Sequence, residues 1–179
     1  MWICYILQLL MKNKQFRRRA KGDMSIARIK QRPMRLPDDG KRGVRTQFGA
    51  LCWRQVGDKV QVLLVTSRRR GRWIVPKGWP MDGATPAEAA ETEAYEEAGV
   101  KGRVTPSVLG IFSYTKGLDE GEQLPCVVAL FPVKVKKVLN NWPEKAERRR
   151  KWMTLKKAAK KVDDPELASI LAGFDPKAI

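Results

Sequence analysis

Apolar and polar residues follow two different periods along this chain, and the change of period marks the elements of the fold. Apolar runs with strand-like composition cover residues 45–53 and 59–67, and the turn Gly57-Asp58 between them predicts a β-hairpin. Further strand-like runs follow at 72–76, 107–115, 125–135 and 147–155. These segments predict a sheet as the centre of the protein.

Helical spacing of apolar residues occurs in three places. The first is a stretch that ends at Gly99, and the others are residues 155–162 and 165–174. The last of these begins with Pro165 and ends at Gly173, which are residues typical of helix termini. Strands with helices between and after them predict an α/β domain.

The first part of the chain lacks this periodicity. Residues 1–37 hold ten basic residues and one acid, and the tail ends in a stretch that contains Pro33, Pro37 and Gly40. We therefore predict a basic extension over 1–39, disordered in part, and a folded domain over 40–179. The apolar segment 1–11 is too short to cross a bilayer, which takes about 20 residues. It also precedes the basic run, the reverse of the order in a signal peptide.

The composition excludes several kinds of chemistry. The chain has 179 residues, no histidine and a formal net charge of +17. Ser-His-Asp catalysis and imidazole-ligated zinc are therefore excluded, and a general base has to be a carboxylate, Lys, Tyr or Cys. The positive charge indicates an anionic partner, either nucleic acid, a membrane surface or a phosphate-rich small molecule. Three widely spaced cysteines favour a reducing cytoplasm as the compartment.

The best-defined helix follows a loop rich in Gly and Pro. Thr85 is a candidate N-cap, Pro86 suits the first helical position, and Glu88 completes a capping box with Thr85. Gly99 suits a left-handed C-terminal residue. The sequence therefore predicts a helix from about residue 86 to about residue 98.

Three glutamates share one face of this helix. Glu93, Glu96 and Glu97 are spaced i, i+3 and i+4, beside a stripe of alanines that lets the helix pack close to a sheet. Like charges at this spacing repel one another, and a hard divalent cation would offset the repulsion. A solvated acidic face explains the same spacing, so spacing alone leaves both interpretations open.

The segment 78–100 resembles the Nudix box, G-x5-E-x7-R-E-U-x-E-E-x-G-U, in which U is aliphatic. Seven residues match its fixed positions in register: Gly78, Glu93, Ala94, Glu96, Glu97, Gly99 and Val100. Two positions depart, because Ala84 replaces the first Glu and Thr92 replaces the Arg. Residues 72–78 also resemble the segment that precedes the box in diphosphoinositol-polyphosphate and diadenosine-polyphosphate hydrolases, and the whole resemblance covers roughly 42–160.

This resemblance implies a Nudix α/β/α sandwich with a mixed β-sheet, and a box that binds Mg²⁺ or Mn²⁺. Carried over by position, Glu93 and Glu97 are metal ligands and the Gly78 carbonyl is a further ligand. Glu96 is the catalytic base, or a metal-bridging carboxylate, that prepares the attacking water. Glu120 and Glu122, in a later loop, are alternative candidates for that base.

The resemblance also implies a substrate. Arg45, Ser67, Arg68 and Lys77 are expected near substrate phosphates, since Arg binds phosphate in a bidentate manner and Lys acts as a point charge. The predicted protein is a metal-dependent Nudix phosphoanhydride hydrolase acting on a diphosphoinositol polyphosphate or a diadenosine polyphosphate. ADP-ribose, NADH and 5′-capped RNA are further candidate substrates, and nucleic acid is an alternative partner that is not favoured.

The replacement of the box Arg keeps a second function open. In the family that Arg orients the glutamates, and Thr92 cannot supply its charge. A hydroxyl contact, or an Arg or Lys from a neighbouring loop, would compensate. Without such compensation the chain would be a catalytically weakened Nudix-fold module that binds phosphate ligands or RNA.

Overall fold

The computed structural model describes residue 33 and residues 45–117 and 123–179. Apart from Pro33, the predicted extension 1–39 lies outside the described residues, as do Glu120 and Glu122. The predicted start of the folded domain at residue 40 also falls outside them.

Eight strands and three α-helices form the described part of the chain. The strands are β1 (Thr46–Val56), β2 (Lys59–Thr66), β3 (Trp73–Ile74), β4 (Lys77–Gly78), β5 (Val100–Val104), β6 (Gly110–Gly117), β7 (Gln123–Val138) and β8 (Arg150–Thr154). The helices are α1 (Pro86–Ala98), α2 (Leu155–Ala159) and α3 (Pro165–Ala172), followed by a 3₁₀ turn at Pro176–Ala178.

The strands form a mixed sheet in the order β3-β2-β1-β7-β5. Strands β1 and β7 are parallel, from the pair Thr46 and Val127 to the pair Trp53 and Lys134. The other pairs are antiparallel, with β4 on β1, β6 on β7 and β8 on β2. The mixed sheet predicted from the family resemblance is confirmed.

Alternation along β1 separates two layers of core. Ala50 and Cys52 point into the core that includes α1, whereas Leu51 and Trp53 point into the core that includes α3. Successive side chains of a strand face opposite sides of the sheet, so the helices must cover both faces. The arrangement is the predicted α/β/α sandwich.

The structure also differs from the pattern in two short strands. The sequence pattern did not predict β4 or β5. Strand β5 carries Lys101 and Arg103 on its exposed side, has Gly102 at its centre and contains a register shift there, all of which weaken an apolar strand signal. Strand β4 has only two residues, so its pairing with β1 depends on tertiary contact.

Within the described residues, no helix is long and apolar enough to cross a membrane. The thiols of Cys52 and Cys126 are both buried and free. Burial raises the pKa of the Cys52 thiol far above its ordinary range. This cysteine therefore behaves as a small core residue and not as a nucleophile.

Candidate metal and phosphate site

Helix α1 begins and ends at the residues that the sequence predicts. The Thr85 hydroxyl accepts a hydrogen bond from the Glu88 N–H at 3.2 Å, and the Glu88 carboxylate accepts one from the Thr85 N–H at 2.7 Å. Pro86 occupies the first helical turn, and Gly99 ends the helix in the left-handed region with φ of 61°. The capping box and the C-terminal glycine are thus confirmed, and they set the two ends of the helix.

The predicted alanine stripe packs one side of α1 against the sheet. Ala87, Ala90, Ala94 and Ala98 are almost completely buried in the α1 core. Small side chains allow a close approach, which also buries polar groups on the neighbouring helical positions. Glu93 and Glu97 are only 9% and 5% exposed, while Glu96 is half-buried. We call these three glutamates the acid face.

The short strand β4 brings backbone to the acid face. A Cβ built on Gly78 would overlap the Glu93 carboxylate, so this position accepts no side chain without displacing Glu93. The backbone N–H of Lys77 donates to the Glu97 carboxylate at 3.3 Å. The structure therefore places the three predicted ligand residues, Gly78, Glu93 and Glu97, beside one another.

A buried guanidinium also contacts the acid face. Arg148 lies before β8 and donates from Nη2 to Oε1 of Glu97, from Nε to Oε2 of Glu144 at 2.5 Å, and from Nη1 to the carbonyl of Thr66 at 2.9 Å. Arg68 donates to the other oxygen of Glu144 at 2.7 Å. Arg68, Glu144, Arg148 and Glu97 form a chain of alternating charges, which we call the arginine network.

Burial and mutual repulsion perturb the carboxylates of the acid face. The pKa of Glu93 rises from an ordinary 4.5 to about 7, mainly because the side chain is buried and then because Glu97, Glu96 and Glu144 are close. Burial also raises the pKa of Glu97, although Arg148 acts in the opposite direction. Burial and the neighbouring carboxylates therefore both disfavour the ionised form of Glu93 when no cation is bound.

The donor chemistry fits a hard divalent cation. Carboxylate oxygens and a backbone carbonyl are the ligands that Mg²⁺ and Mn²⁺ accept, and a cation would relieve the repulsion described above. Over residues 45–117 and 123–179, however, no three acidic or cysteine side chains gather closely enough to hold one ion as they stand. In this arrangement the Glu97 oxygens are bonded to Arg148 and to the Lys77 N–H.

Thr92, the departure from the box, makes its side-chain hydrogen bond within α1. Its hydroxyl donates to the Glu88 carbonyl one turn earlier in the same helix, at 3.0 Å. It borders a surface depression together with Glu88, Glu91 and Tyr95. The sequence left two compensations open, a hydroxyl contact to a carboxylate or a basic side chain from a loop. The Thr92 hydroxyl bonds a backbone carbonyl instead, and Arg148 from a loop bonds the Glu97 carboxylate; whether this contact compensates for the missing box Arg stays a prediction.

The predicted substrate residues fall into two groups. Arg45 and Lys77 lie near Cys126, where their charges, together with that of Lys116, act to lower the thiol pKa against the stronger effect of its burial. The Lys77 ammonium lies 4.6 Å above the Tyr114 ring, and burial lowers its pKa. This first group places three basic side chains near one end of β7.

The second group lies at the end of β2. The Ser67 hydroxyl accepts a hydrogen bond from the Arg72 N–H at 3.0 Å, which holds the turn after β2. Arg68 is exposed and bonded to Glu144, with Glu147 at 3.3 Å. Ser67 is thus engaged in its own turn, while Arg68 belongs to the arginine network.

Three residues of the candidate site were missed from the sequence. Arg148 and Glu144 were missed because nothing in a run of three arginines tells which one turns inward. Lys116 was missed because its ammonium meets the Trp79 ring, at 4.8 Å, only after β6 has returned across the sheet. The signal for Arg148 is its position four residues after Glu144 in an otherwise exposed segment.

Comparison with known proteins identifies the family. Residues 45–174 match the NUDIX domain. Nudix hydrolase 12, mitochondrial, of Arabidopsis thaliana is 40% identical over 104 residues, covering 56% of this chain and 51% of that protein. Diphosphoinositol polyphosphate phosphohydrolase 3-alpha of Mus musculus is 31% identical over 120 residues, covering 66% of this chain and 69% of that protein. The chain spans about half the length of the first plant relatives that it matches.

Solved structures agree with this family at the level of fold. The C. elegans Ap4A hydrolase, in a binary complex, aligns with a TM-score of 0.55 and 22% identity, over 72% of this chain and 93% of that chain. The E. coli dihydroneopterin triphosphate pyrophosphohydrolase aligns with a TM-score of 0.55 and 15% identity, over 73% and 94%. The family match covers α1 and the acid face, and the chain belongs to the Nudix hydrolase family.

Proposed function

We propose that this protein is a metal-dependent Nudix pyrophosphohydrolase that cleaves a phosphoanhydride bond in a highly phosphorylated small molecule. The observation that carries the proposal is the acid face itself. Two buried glutamates, Glu93 and Glu97, lie beside the backbone of β4, with Glu96 on the same helical turn. Three carboxylates in such a position are costly to fold and are explained by a cation that binds there.

Each residue of the acid face has a distinct task in this proposal. Glu93, Glu97 and the Gly78 carbonyl would hold Mg²⁺ or Mn²⁺, which when bound lowers the pKa of water and neutralises phosphate charge. Glu96 is less buried than Glu93 and Glu97, so a substrate and a water molecule can reach its carboxylate. Its carboxylate oxygen accepts the proton of the attacking water, in the manner of a general base.

The basic side chains described above would bind the substrate phosphates. Lys77 and Lys116, with Arg45 at the start of β1, gather positive charge near one end of β7. Arg68 adds an exposed guanidinium at the end of β2. Positive groups placed near the leaving phosphate stabilise the charge that develops on it.

Two substrate classes fit this charge. Diphosphoinositol polyphosphates are favoured because four or more phosphates require several separate cations, and because a mouse relative bears that activity in its name. Diadenosine polyphosphates fit the same groups, and Trp79, already beside Lys116, offers a ring for base stacking. If the substrate is a diphosphoinositol polyphosphate, the Lys and Arg side chains should contribute most of the binding. If it is a diadenosine polyphosphate, Trp79 should contribute as well.

A phosphate-release assay tests the function. The full chain is incubated with diphosphoinositol phosphates, diadenosine polyphosphates, ADP-ribose or capped RNA, each with Mg²⁺, with Mn²⁺ and with EDTA. We expect turnover of the first or second substrate that requires metal, and a loss of about a thousandfold in kcat for Glu96→Gln. Glu91→Gln, on the same helix beside Thr92, is the control and is expected to keep wild-type kcat.

Three outcomes would contradict the proposal. Turnover in EDTA would exclude the metal, and full activity of Glu96→Gln would exclude the assigned base. Binding of all anions without turnover, with a steep salt dependence on RNA, would instead identify a phosphate- or RNA-binding module.

The cytoplasm remains our proposed compartment, on the basis of the free thiols. Several plant relatives have names that include "mitochondrial", so the mitochondrion is the alternative compartment. Microscopy of the tagged full chain, with a mitochondrial marker, decides between the two compartments.

A further inference from the structure

Arg148 differs from the two arginines that follow it. Its side chain is 5% exposed, whereas Arg149 is exposed and Arg150 is half-buried. All three of its nitrogens are engaged, with acceptors on Glu97, Glu144 and Thr66. A buried guanidinium bonded at each nitrogen has a fixed plane and cannot rotate freely.

This fixed guanidinium determines the orientation of Glu97. Arg148 holds Oε1 of Glu97, and the backbone N–H of Lys77 holds Oε2. The two donors come from segments about 70 residues apart in the chain, and each binds a different oxygen of the carboxylate. Both oxygens are therefore directed by neighbours that α1 does not contain.

Glu144 ties the guanidinium to the helix. Its backbone N–H donates to the Glu96 carbonyl at 3.1 Å, near the C-terminus of α1. Its carboxylate bonds Arg148 on one side and Arg68 on the other. A shift of the 144–148 segment would consequently move Arg148 relative to Glu97.

We propose that Arg148 is the positioning residue of the acid face, which holds Glu97 in the orientation required to receive a divalent cation. Arg148 acts through Glu97 and touches no reacting atom. This inference rests on the metal-binding part of the proposed function. It explains how a chain with Thr92 in the box, whose hydroxyl bonds within its own helix, still orients its glutamates.

The test compares two arginines of the same segment. Arg150 is the matched control, because it also bonds three acceptors near the end of α1, namely the carbonyls of Ala98, Gly99 and Leu139, and stacks 3.8 Å from the Trp142 ring. Those contacts are structural and include no carboxylate. Arg148→Lys and Arg150→Lys are each purified as full chains, and their thermal unfolding is recorded first.

The main measurement is the affinity of each protein for Mn²⁺, which is monitored through the electron paramagnetic resonance signal of free Mn²⁺. We expect Arg148→Lys to bind Mn²⁺ about 10- to 100-fold more weakly than wild type, which is the usual effect of removing a partner that orients a metal ligand. Arg150→Lys is expected to stay within about twofold, even where its stability falls as much. With a hydrolysable substrate, the Mg²⁺ concentration for half-maximal kcat should rise for Arg148→Lys alone, while KM at saturating Mg²⁺ stays unchanged.

A second variant removes the guanidinium completely. In Arg148→Ala, added guanidinium chloride is expected to restore part of the Mn²⁺ affinity, whereas sodium chloride at equal ionic strength is not. If this variant does not fold, Arg148→Lys, which retains the charge, provides the decisive comparison. Equal Mn²⁺ affinities for Arg148→Lys and Arg150→Lys would overturn the proposal.

The two proposals fail in different ways. If the wild type hydrolyses no tested substrate but Arg148→Lys weakens Mn²⁺ binding, the hydrolase function fails and the positioning role stands. If the wild type is a metal-dependent hydrolase and the two lysine variants behave alike, the function stands and the positioning role fails.

Discussion

The two faces of the sheet are covered by helices of opposite character. On one face, α1 presents alanines and the acid face; on the other, α3 presents Leu167 and Leu171, with Phe174 just beyond it. The α3 face buries large side chains, which contribute stability through apolar area and close packing. The α1 face buries smaller apolar side chains, and these small residues bring the buried carboxylates close to β4.

This difference indicates that stability and function depend on different faces of the sheet. A change on the α3 face should alter the free energy of unfolding and leave the chemistry intact. A change on the acid face should alter metal binding and catalysis with little loss of stability. Four experiments on the two faces test that division.

The largest expected effect is on the α3 face. Leu171 is fully buried, so Leu171→Ala should lower the free energy of unfolding by about 3 kcal/mol. Urea unfolding measures this loss, and the exposed Ser169→Ala on the same helix serves as the control. Mn²⁺ affinity should remain at the wild-type value. A large loss of Mn²⁺ affinity in folded Leu171→Ala would show that the two faces are coupled.

On the acid face, Gly78→Ala should act in the opposite way. The added methyl group would displace the Glu93 carboxylate, and a displacement of this kind lowers kcat by about a hundredfold, or about 2.7 kcal/mol in activation free energy. Gly173→Ala, beyond α3, meets only the Ser169 carbonyl at 3.4 Å and should keep wild-type kcat. Steady-state kinetics compare the two. If Gly78→Ala and Gly173→Ala had equal kcat values, Gly78 would not belong to the site.

The pH dependence of stability should distinguish the faces without any change in the core. Because the folded-state pKa of Glu93 is raised to about 7, the folded protein binds a proton more tightly than the unfolded chain does. The Glu93 contribution to the free energy of unfolding should therefore fall by about 2 kcal/mol between pH 5 and pH 7. Urea unfolding of the metal-free wild type and of Glu93→Gln isolates this contribution as their difference.

Saturating Mg²⁺ should remove most of that difference in pH dependence, because a bound cation keeps Glu93 ionised. If wild type and Glu93→Gln showed parallel pH profiles without metal, the carboxylate would be solvated and the buried acid face would be disproved.

The smallest expected effect belongs to Thr92→Arg. The hydroxyl that it replaces bonds within its own helix, and Arg148 already supplies a guanidinium to Glu97. We expect kcat and Mn²⁺ affinity to change by less than about twofold. A large gain in kcat would mean that Arg148 leaves the glutamates under-oriented.

Local signals predicted the parts of the fold that form within a few residues. The N-cap at Thr85, the capping box with Glu88 and the C-terminal Gly99 need only neighbours along the chain, and all three are confirmed. The same is true of the Gly57 turn, with φ of 56°. The spacing of Glu93 and Glu97 likewise predicted that they share one side of a helix.

Tertiary contacts account for what was missed. The pairing of Glu97 with Arg148 joins residues 51 positions apart, and no local pattern encodes it. The same limit applies to Lys116 above Trp79, and to β4, which is a strand only because it lies beside Phe48. Ser67 shows the converse limit, since a residue predicted beside substrate has its hydroxyl engaged in a local turn. Its predicted role is untested.

The parallel pairing of β1 with β7 has a kinetic consequence. It joins residues that are about 80 positions apart, so forming it requires closure of a long loop before its contacts can contribute. The capped helix α1 can form early, but Arg148 reaches Glu97 only after the chain beyond β7 has been added. A nascent chain should therefore carry an acidic helix without its guanidinium partner until the segment 144–148 has been synthesised.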